Sequence, residues 1–495
     1  DRDTVVLGTL GDMLTERLDR WKVDRDLQVA ADPVAKALLL DLAIGLGQQY
    51  GALADWALLG RRAALRKGEL LASLGDMGGA GAIFDALGAE QPGAMDRLAD
   101  LPVEEQLIVA QWLHAIGQIG EARDAAMAVA DRADRALKGN DDPARRCDSA
   151  KAQMAVGQYL VALDEHAAAR PHYQRCLDGF RRLADEDPGF DRRRDLSVAL
   201  NIWGNLLWRL EGAQAAKQPF EECLRVWQSM ADDGNAAARP GLGLAAGQLG
   251  DLLLSTDGAA PARPYLELFH REMERWAAEN GQLVARDNYR RALGALGNVV
   301  RKLDGGAAAR PYFETCARVA RELAVELRTP AAVRGHGIAQ AWLGIAIKEV
   351  DGPAASRPYY VEAADIFRAL NDAVGTPQTL DGHAISEEVL GDLISGLDGA
   401  EQALPHYQAN VRAREQLAAQ LKTPSALHKY AVALNALAWA TDAAQGREAA
   451  LPYFESGAVI LAELAEAHGG ARSWFVSAVS MGHYAETVRQ VRGAA

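Results

Sequence analysis

One phrase returns along this chain at an almost fixed interval. AAARPHYQRC, AAKQPFEEC, PARPYLELF, AAARPYFETC, AASRPYYVEA, QALPHYQAN and AALPYFESG are variants of it. The residue five places after the usual proline falls at Cys176, Cys223, Phe269, Cys316, Ala363, Asn410 and Gly457, in steps of 47 residues with a single step of 46. A second column keeps the same step: Gly157, Gly204, Gly250, Gly297, Gly344 and Gly391, then Ala438 and Ala485. Two columns locked at one period require repeated units, each burying its apolar face against its neighbours.

Each unit reads as two helices. The first is expected to begin at the proline, as in Arg310-Pro311-Tyr312-Phe313, because proline is well tolerated in a helix's first turn. Apolar residues then recur at helical spacing through Phe313, Cys316, Ala317, Ala320, Leu323, Ala324 and Leu327. Arg328-Thr329-Pro330 stops it, as do Thr376-Pro377 and Thr423-Pro424 one and two repeats on. The second helix carries the glycine, as in Asp195 to Leu210 or Ala332 to Val350. It ends in Asp-Gly at 257–258, 304–305, 351–352 and 398–399, where glycine supplies a left-handed stop. Glycine inside a helix costs roughly 1 kcal/mol relative to alanine, so its return predicts that another helix backbone passes close by. Tyr312 is expected to pack between helices, at a cost of about 3–5 kcal/mol on truncation to alanine.

A glycine after leucine, a turn about eight residues later, then alanine and an aromatic pair resembles the tetratricopeptide repeat. Leu343-Gly344 matches the family's Leu-Gly, and Ala309, Phe313 and Cys316 match its small and aromatic packing positions. The period exceeds the family's usual 34 or so residues, and the excess is read as longer helices. The chain is similar to the long-helix arrays of bacterial multidomain proteins, where they accompany signalling ATPases or caspase-like protease domains. The resemblance implies an all-α, right-handed superhelical solenoid of antiparallel helix pairs. Residues 151–495 are expected to hold the regular repeats. Residues 1–150 read as degenerate hairpins of the same kind, around Leu65 to Leu87 and Leu113 to Val129.

Composition narrows the function classes. Apolar residues make up 49% and charged residues 24% of 495 residues, which fits a folded globular chain and excludes disorder. A net charge of −14 repels phosphate backbones, so nucleic acid is not expected as the main partner. Four cysteines make no disulfide framework. The most apolar early stretch, Ala37 to Gly60, is cut by Asp41 and Asp55, and no opening stretch reads as a secretory signal. The expected setting is cytoplasmic, away from a membrane.

Catalytic and metal signatures are not found. Cys176, Cys223 and Cys316 share one column, so they should lie a repeat apart and read as small packing residues, as does Cys147. The histidines form no HExxH and the cysteines no zinc pair. His172 and His406 beside the repeat proline read as packing variants, while His336 and His383 stand one repeat apart in the glycine helix. No phosphate loop or GxSxG elbow occurs, and Gly241 to Gly247 lacks both the dinucleotide spacing and a preceding strand. Glu221-Glu222 and Glu387-Glu388 read as solvated faces. Neither an enzyme nor a cofactor is expected.

What remains is a surface. In tetratricopeptide proteins the glycine-bearing helix lines the concave side, with positions three before, one after and four after the glycine facing inward. The resemblance thereby points to Asn201, Asn205, Trp208, Asp251, Asn298, Arg301, Lys348, Asp392 and Asn435 as a groove for protein or peptide. Amides can both donate to and accept from a peptide backbone, and Arg301 and Lys348 can hold a carboxylate. The expected role is a sensor or scaffold region of a larger bacterial signalling or defence protein. The alternative is a spacer or self-assembling module, homo-oligomeric or covalently linked to an effector domain.

Overall fold

Glycine, alanine and proline set the helix boundaries. The computed structural model describes residues 13–14, 33–50, 54–74, 76–91, 93–281, 283–468 and 471–492, and among these there is no strand. Two compact units emerge: residues 1–299 with 327–330, and residues 300–326 with 331–495. The first unit contains α1 (Pro33–Gln49), α2 (Ala54–Ser73), α3 (Met77–Ala86), the short α4 (Ala94–Arg97), α5 (Val103–Ala115), α6 (Ile119–Gly139), α7 (Pro143–Ala162) and α8 (His166–Glu186). It continues through α9 (Phe190–Glu211), α10 (Ala213–Asp232), α11 (Arg239–Thr256), α12 (Ala259–Asn280) and α13 (Leu283–Asp304), within which the division falls. The second unit contains all but the last residue of α14 (Gly306–Leu327), all but the first of α15 (Pro330–Asp351), α16 (Pro353–Val374), α17 (Pro377–Asp398), α18 (Ala400–Leu421), α19 (Pro424–Gln445), α20 (Arg447–His468) and α21 (Ala471–Arg492). From α7 to α12 in the first unit, and from α16 to α21 in the second, each helix packs on the next. The architecture is a tetratricopeptide-like array of consecutive helix pairs.

The extra length of the repeat lies in the helices, as expected: α14 to α21 each run 22 residues. A single glycine joins α15 to α16, α17 to α18 and α19 to α20, which forces the partners antiparallel. Gly352 has φ 91° and ψ 169°, a region open essentially only to glycine. This is an extended turn rather than the left-handed helical stop the sequence suggested. Left-handed stops instead close the first helix of the pair, at Gly281, Arg328, Gly375 and Lys422, spaced one repeat apart. Thr376 and Thr423 then cap the following helix, accepting from the N–H of Thr379 and Ala426.

The proline does not start its helix. Pro311 lies inside α14, which begins five residues earlier at Gly306, and Pro171, Pro219, Pro264, Pro358, Pro405 and Pro452 are likewise internal. Ala307 to Ala309 are strong helix formers, and the one bond Pro311 forgoes would have gone to a first-turn carbonyl. The residue before the proline then pairs with the acid that ends the next helix. Arg170 reaches Glu211 at 2.6 Å, Arg310 reaches Asp351 at 3.1 Å, and Arg357 pairs with Asp398; in the repeat whose proline is displaced by one place, Lys217, two residues before Pro219, reaches Asp257 just beyond α11 at 3.8 Å.

The glycine column receives a ring, not a backbone. A Cβ at Gly204 would stand 2.6 Å from the Phe220 ring and one at Gly157 would overlap the Tyr173 ring, while one at Gly344 would stand 3.2 Å from the Tyr360 ring. In the shorter repeat Leu266 fills the socket at Gly250. Close backbone approach occurs elsewhere, where α1 and α2 meet: a Cβ at Gly47 would lie 2.6 Å from the Gly60 Cα. The socket ring is two places after the proline in most repeats, so Phe313 is fully buried while Tyr312 beside it is half-buried. Cys176, Cys223 and Cys316 are buried, as packing residues should be. Burial pushes the Cys176 and Cys223 thiols up to about 12, leaving them without nucleophilic character at neutral pH.

Candidate binding cleft

The first unit holds a cleft of about 860 Å³. Its walls come from the middle and C-terminal half of α7, the N-terminal halves of α9 and α11, and the C-terminal halves of α8, α10 and α12. Lys151, Met154 and Gln158 of α7, Arg194, Asp195 and Val198 of α9, and Pro240, Gly241 and Leu244 of α11 form one wall. Phe180 of α8, Trp227 of α10 and Trp276 of α12 face them, and α5 contributes Leu107 and Gln111.

An aromatic shelf gives the cleft its apolar floor. The rings of Phe190 and Trp227 meet edge-on, with centroids 6.1 Å apart at 66°. The Trp227 indole lies against the backbone at Gly241, where an added Cβ would fall 2.4 Å from the ring. The glycine-rich start of α11 thus seats side chains: Gly243 faces Met273 and Gly247 faces Phe269 in the same way.

Charges line the rim in closed pairs. Lys151 holds Glu104, Arg194 reaches Asp195 at 3.2 Å, Arg239 reaches Glu279 at 3.5 Å, and Arg275 reaches Glu272 at 3.7 Å. Burial pulls the Lys151 ammonium down, but the neighbouring Cys147, when it is a thiolate, and the Glu104 carboxylate outweigh it and leave it above the ordinary lysine value. Burial pushes the Asp195 carboxyl up, beyond what Arg194 and Lys151 recover.

The nine groove residues named from the sequence lie elsewhere; none lines this cleft. Asn201, Trp208 and Asn298 are half-buried, and Asn205 donates to the Asn201 carbonyl at 3.0 Å. Asp251 is open to solvent, yet the protein crowded around it pushes its carboxyl up to about 6, against the pull of Arg291. Arg301 is held by Glu349, and Lys348 is exposed in the last turn of α15. Tyr407 donates to Asp392 at 2.6 Å, and Asn435 donates to Ser480 at 3.1 Å. The signal for the cleft was present at Gly157: Met154 and Gln158 are three before and one after it. Six before each glycine comes a further column, Lys151, Val198 and Leu244, all of which line the cleft.

One residue read as solvated is instead buried. Glu387 is 1% exposed in the second unit. Arg368 donates to it at 2.8 Å, His406 Nδ1 lies 2.8 Å away, and His383 Nδ1 lies 3.7 Å away. Burial pushes its carboxyl up, but the bonds from His406 and Arg368 prevail and hold it below the usual glutamate range. The adjacent Glu388 is half-buried, and Glu222 is half-buried against Arg181 at 2.8 Å. His172 and His406 are half-buried rather than core residues; His172 Nδ1 lies 2.7 Å from Gln153 Oε1.

Among the described residues, no helix is long and apolar enough to cross a membrane, and no group of three acidic, histidine or cysteine side chains could hold a metal ion. No known family pattern and no curated protein matches the sequence. Solved structures resemble it at low identity. A Rap protein complexed with Competence and Sporulation Factor is 13% identical with a TM-score of 0.47, over 83% of this chain and 99% of that one. The apo form of the quorum sensor NprR from B. thuringiensis is 14% identical at 0.45 over 83% and 99%, and yeast Tom70 is 10% identical at 0.44 over 100% and 98%.

Proposed function

We propose that this chain binds a protein or peptide segment in the cleft of its first unit, as the sensor or scaffold region of a larger bacterial signalling or defence protein. One observation carries the reading: a cleft of about 860 Å³ with an aromatic shelf at its floor and ion pairs at its rim. Clefts that hold ligands are mostly apolar with a few placed polar groups, and aromatic anchors supply most of the affinity of protein recognition. The sensor or scaffold role follows from the resemblance of the repeat to long bacterial arrays, and chemistry is assigned to no residue of the chain.

The test compares three baits in native-host lysate: the intact chain, a Val198→Glu variant, and a variant with Asn205, Asn298, Arg301 and Lys348 changed to alanine. Captured candidates are purified and titrated against each bait by tryptophan fluorescence, since Trp227 and Trp276 line the cleft. A partner whose affinity falls at least tenfold with Val198→Glu alone supports the cleft. Loss with the alanine variant alone moves the interface to the amide columns. A chain that titrates with nothing and forms one concentration-independent oligomer is a spacer.

A further inference from the structure

We infer that the cleft takes the interior of an apolar, aromatic-bearing polypeptide segment of no net charge, in preference to a chain terminus or a charged tail. The inference rests on the cleft being a peptide site at all. Four basic and four acidic side chains line it: Lys151, Arg194, Arg239 and Arg275 against Glu104, Asp195, Glu272 and Glu279. Every one of those cations is held by one of those carboxylates. A ligand's terminal carboxylate would therefore have to break an existing pair and strand an acid in a crowded site, and a basic tail faces the mirror-image obstacle. Neither gains net charge complementarity from a lining that sums to zero.

The remaining lining favours neutral chemistry. Phe190, Trp227 and Trp276 offer ring faces and edges to an aromatic or branched side chain. Val198 is 43% exposed into this space, an apolar group whose burial rewards an apolar ligand. Gln111 and Gln158 are exposed on the same lining, and each amide can donate to and accept from the backbone of a passing strand or turn. Such bonding requires peptide groups on both sides of the anchor, which an interior segment supplies and a terminus does not.

The experiment is a selection of the full chain against two displayed random dodecapeptide libraries, one tethered at both ends and one ending in a free carboxylate. Enrichment of net-neutral sequences carrying aromatic or branched residues, from the library tethered at both ends, is the expected result. Synthetic end-blocked versions of these winners should bind at least tenfold more weakly to the Val198→Glu variant, whose exposed site lets it keep a native helical spectrum. Gln158→Ala should weaken them about threefold without altering which sequences win. Enrichment confined to free carboxyl termini, or to runs of acidic or basic residues, overturns the inference while leaving peptide binding in place. A natively helical chain that enriches nothing from either library overturns the peptide reading itself.

Discussion

Phe313 and Tyr312 show what one position along a helix decides. Phe313 is fully buried and Tyr312 is half-buried, so Phe313→Ala should cost about 3–5 kcal/mol and Tyr312→Ala clearly less, measured by denaturant unfolding. The socket glycines obey the same geometry in reverse. Gly204→Ala drives a methyl against the Phe220 ring and should destabilise by about 1–3 kcal/mol. Gly482→Ala, in open space within α21, should stabilise by about 0.5–1 kcal/mol, so the two melting shifts should have opposite signs. Glu387 adds a pH dependence. Its depressed carboxyl contributes stability that is full above the unfolded value of 4.5 and is lost as pH falls through the folded value. Burial also lowers His383, faced by Glu387, Arg368, Asp372 and Arg412, so its share of stability declines as pH falls from 6.5 downward. Glu387→Gln should therefore cost on the order of 1–3 kcal/mol near neutrality and flatten the acid limb below the unfolded value of 4.5, as read from melting temperature against pH. The sequence showed the glycine column plainly. It did not show that the neighbour was a ring, because the ring comes from the following helix, sixteen residues on. Nor did it show the burial of Glu387, whose partners Arg368 and His406 come from the helices on either side.

Helices were legible as elements, and those after each Thr-Pro start at its proline, but the start of the proline-aromatic helix was not legible. The apolar spacing, the Thr-Pro stops and the Asp-Gly junctions all lie where the chain turns. The proline misled, because its cost in the second helical turn is one bond while three alanines and a glycine junction favour an earlier start. The left-handed stops were invisible for a similar reason: Arg328 and Lys422 adopt φ of 53° and 52° where other repeats place glycine. Side chains there carry a strain of about 1–2 kcal/mol, offset in part by glycine's greater loss of freedom. Lys422→Gly, exposed and at the end of α18, should accordingly stabilise by about 0.5–1 kcal/mol in chemical denaturation. A destabilising result would mean that the lysine side chain, rather than the backbone turn, matters at that stop.

At the scale of the whole molecule, the repeat pattern revealed the fold more fully than the site. Successive glycine helices align their columns, but a cleft needs helices of several repeats to stand apart, and spacing along the chain does not report separation in space. The proposed cleft belongs to the first unit alone. A bound segment should therefore slow amide exchange in α7, α9 and α11 and leave α17 to α21 unchanged; protection confined to the latter would place the ligand elsewhere. The single-glycine junctions have a further consequence. With helices of 22 residues joined alternately by one residue and two, the chain from α14 to α20 has no slack. One residue inserted at Gly352 would turn the next helix by about 100°, carrying its ring away from the glycine that receives it. A frame-preserving codon insertion at such a one-residue junction should therefore disrupt the packing of the pair it joins, whereas the loss or gain of an entire repeat leaves every such junction intact.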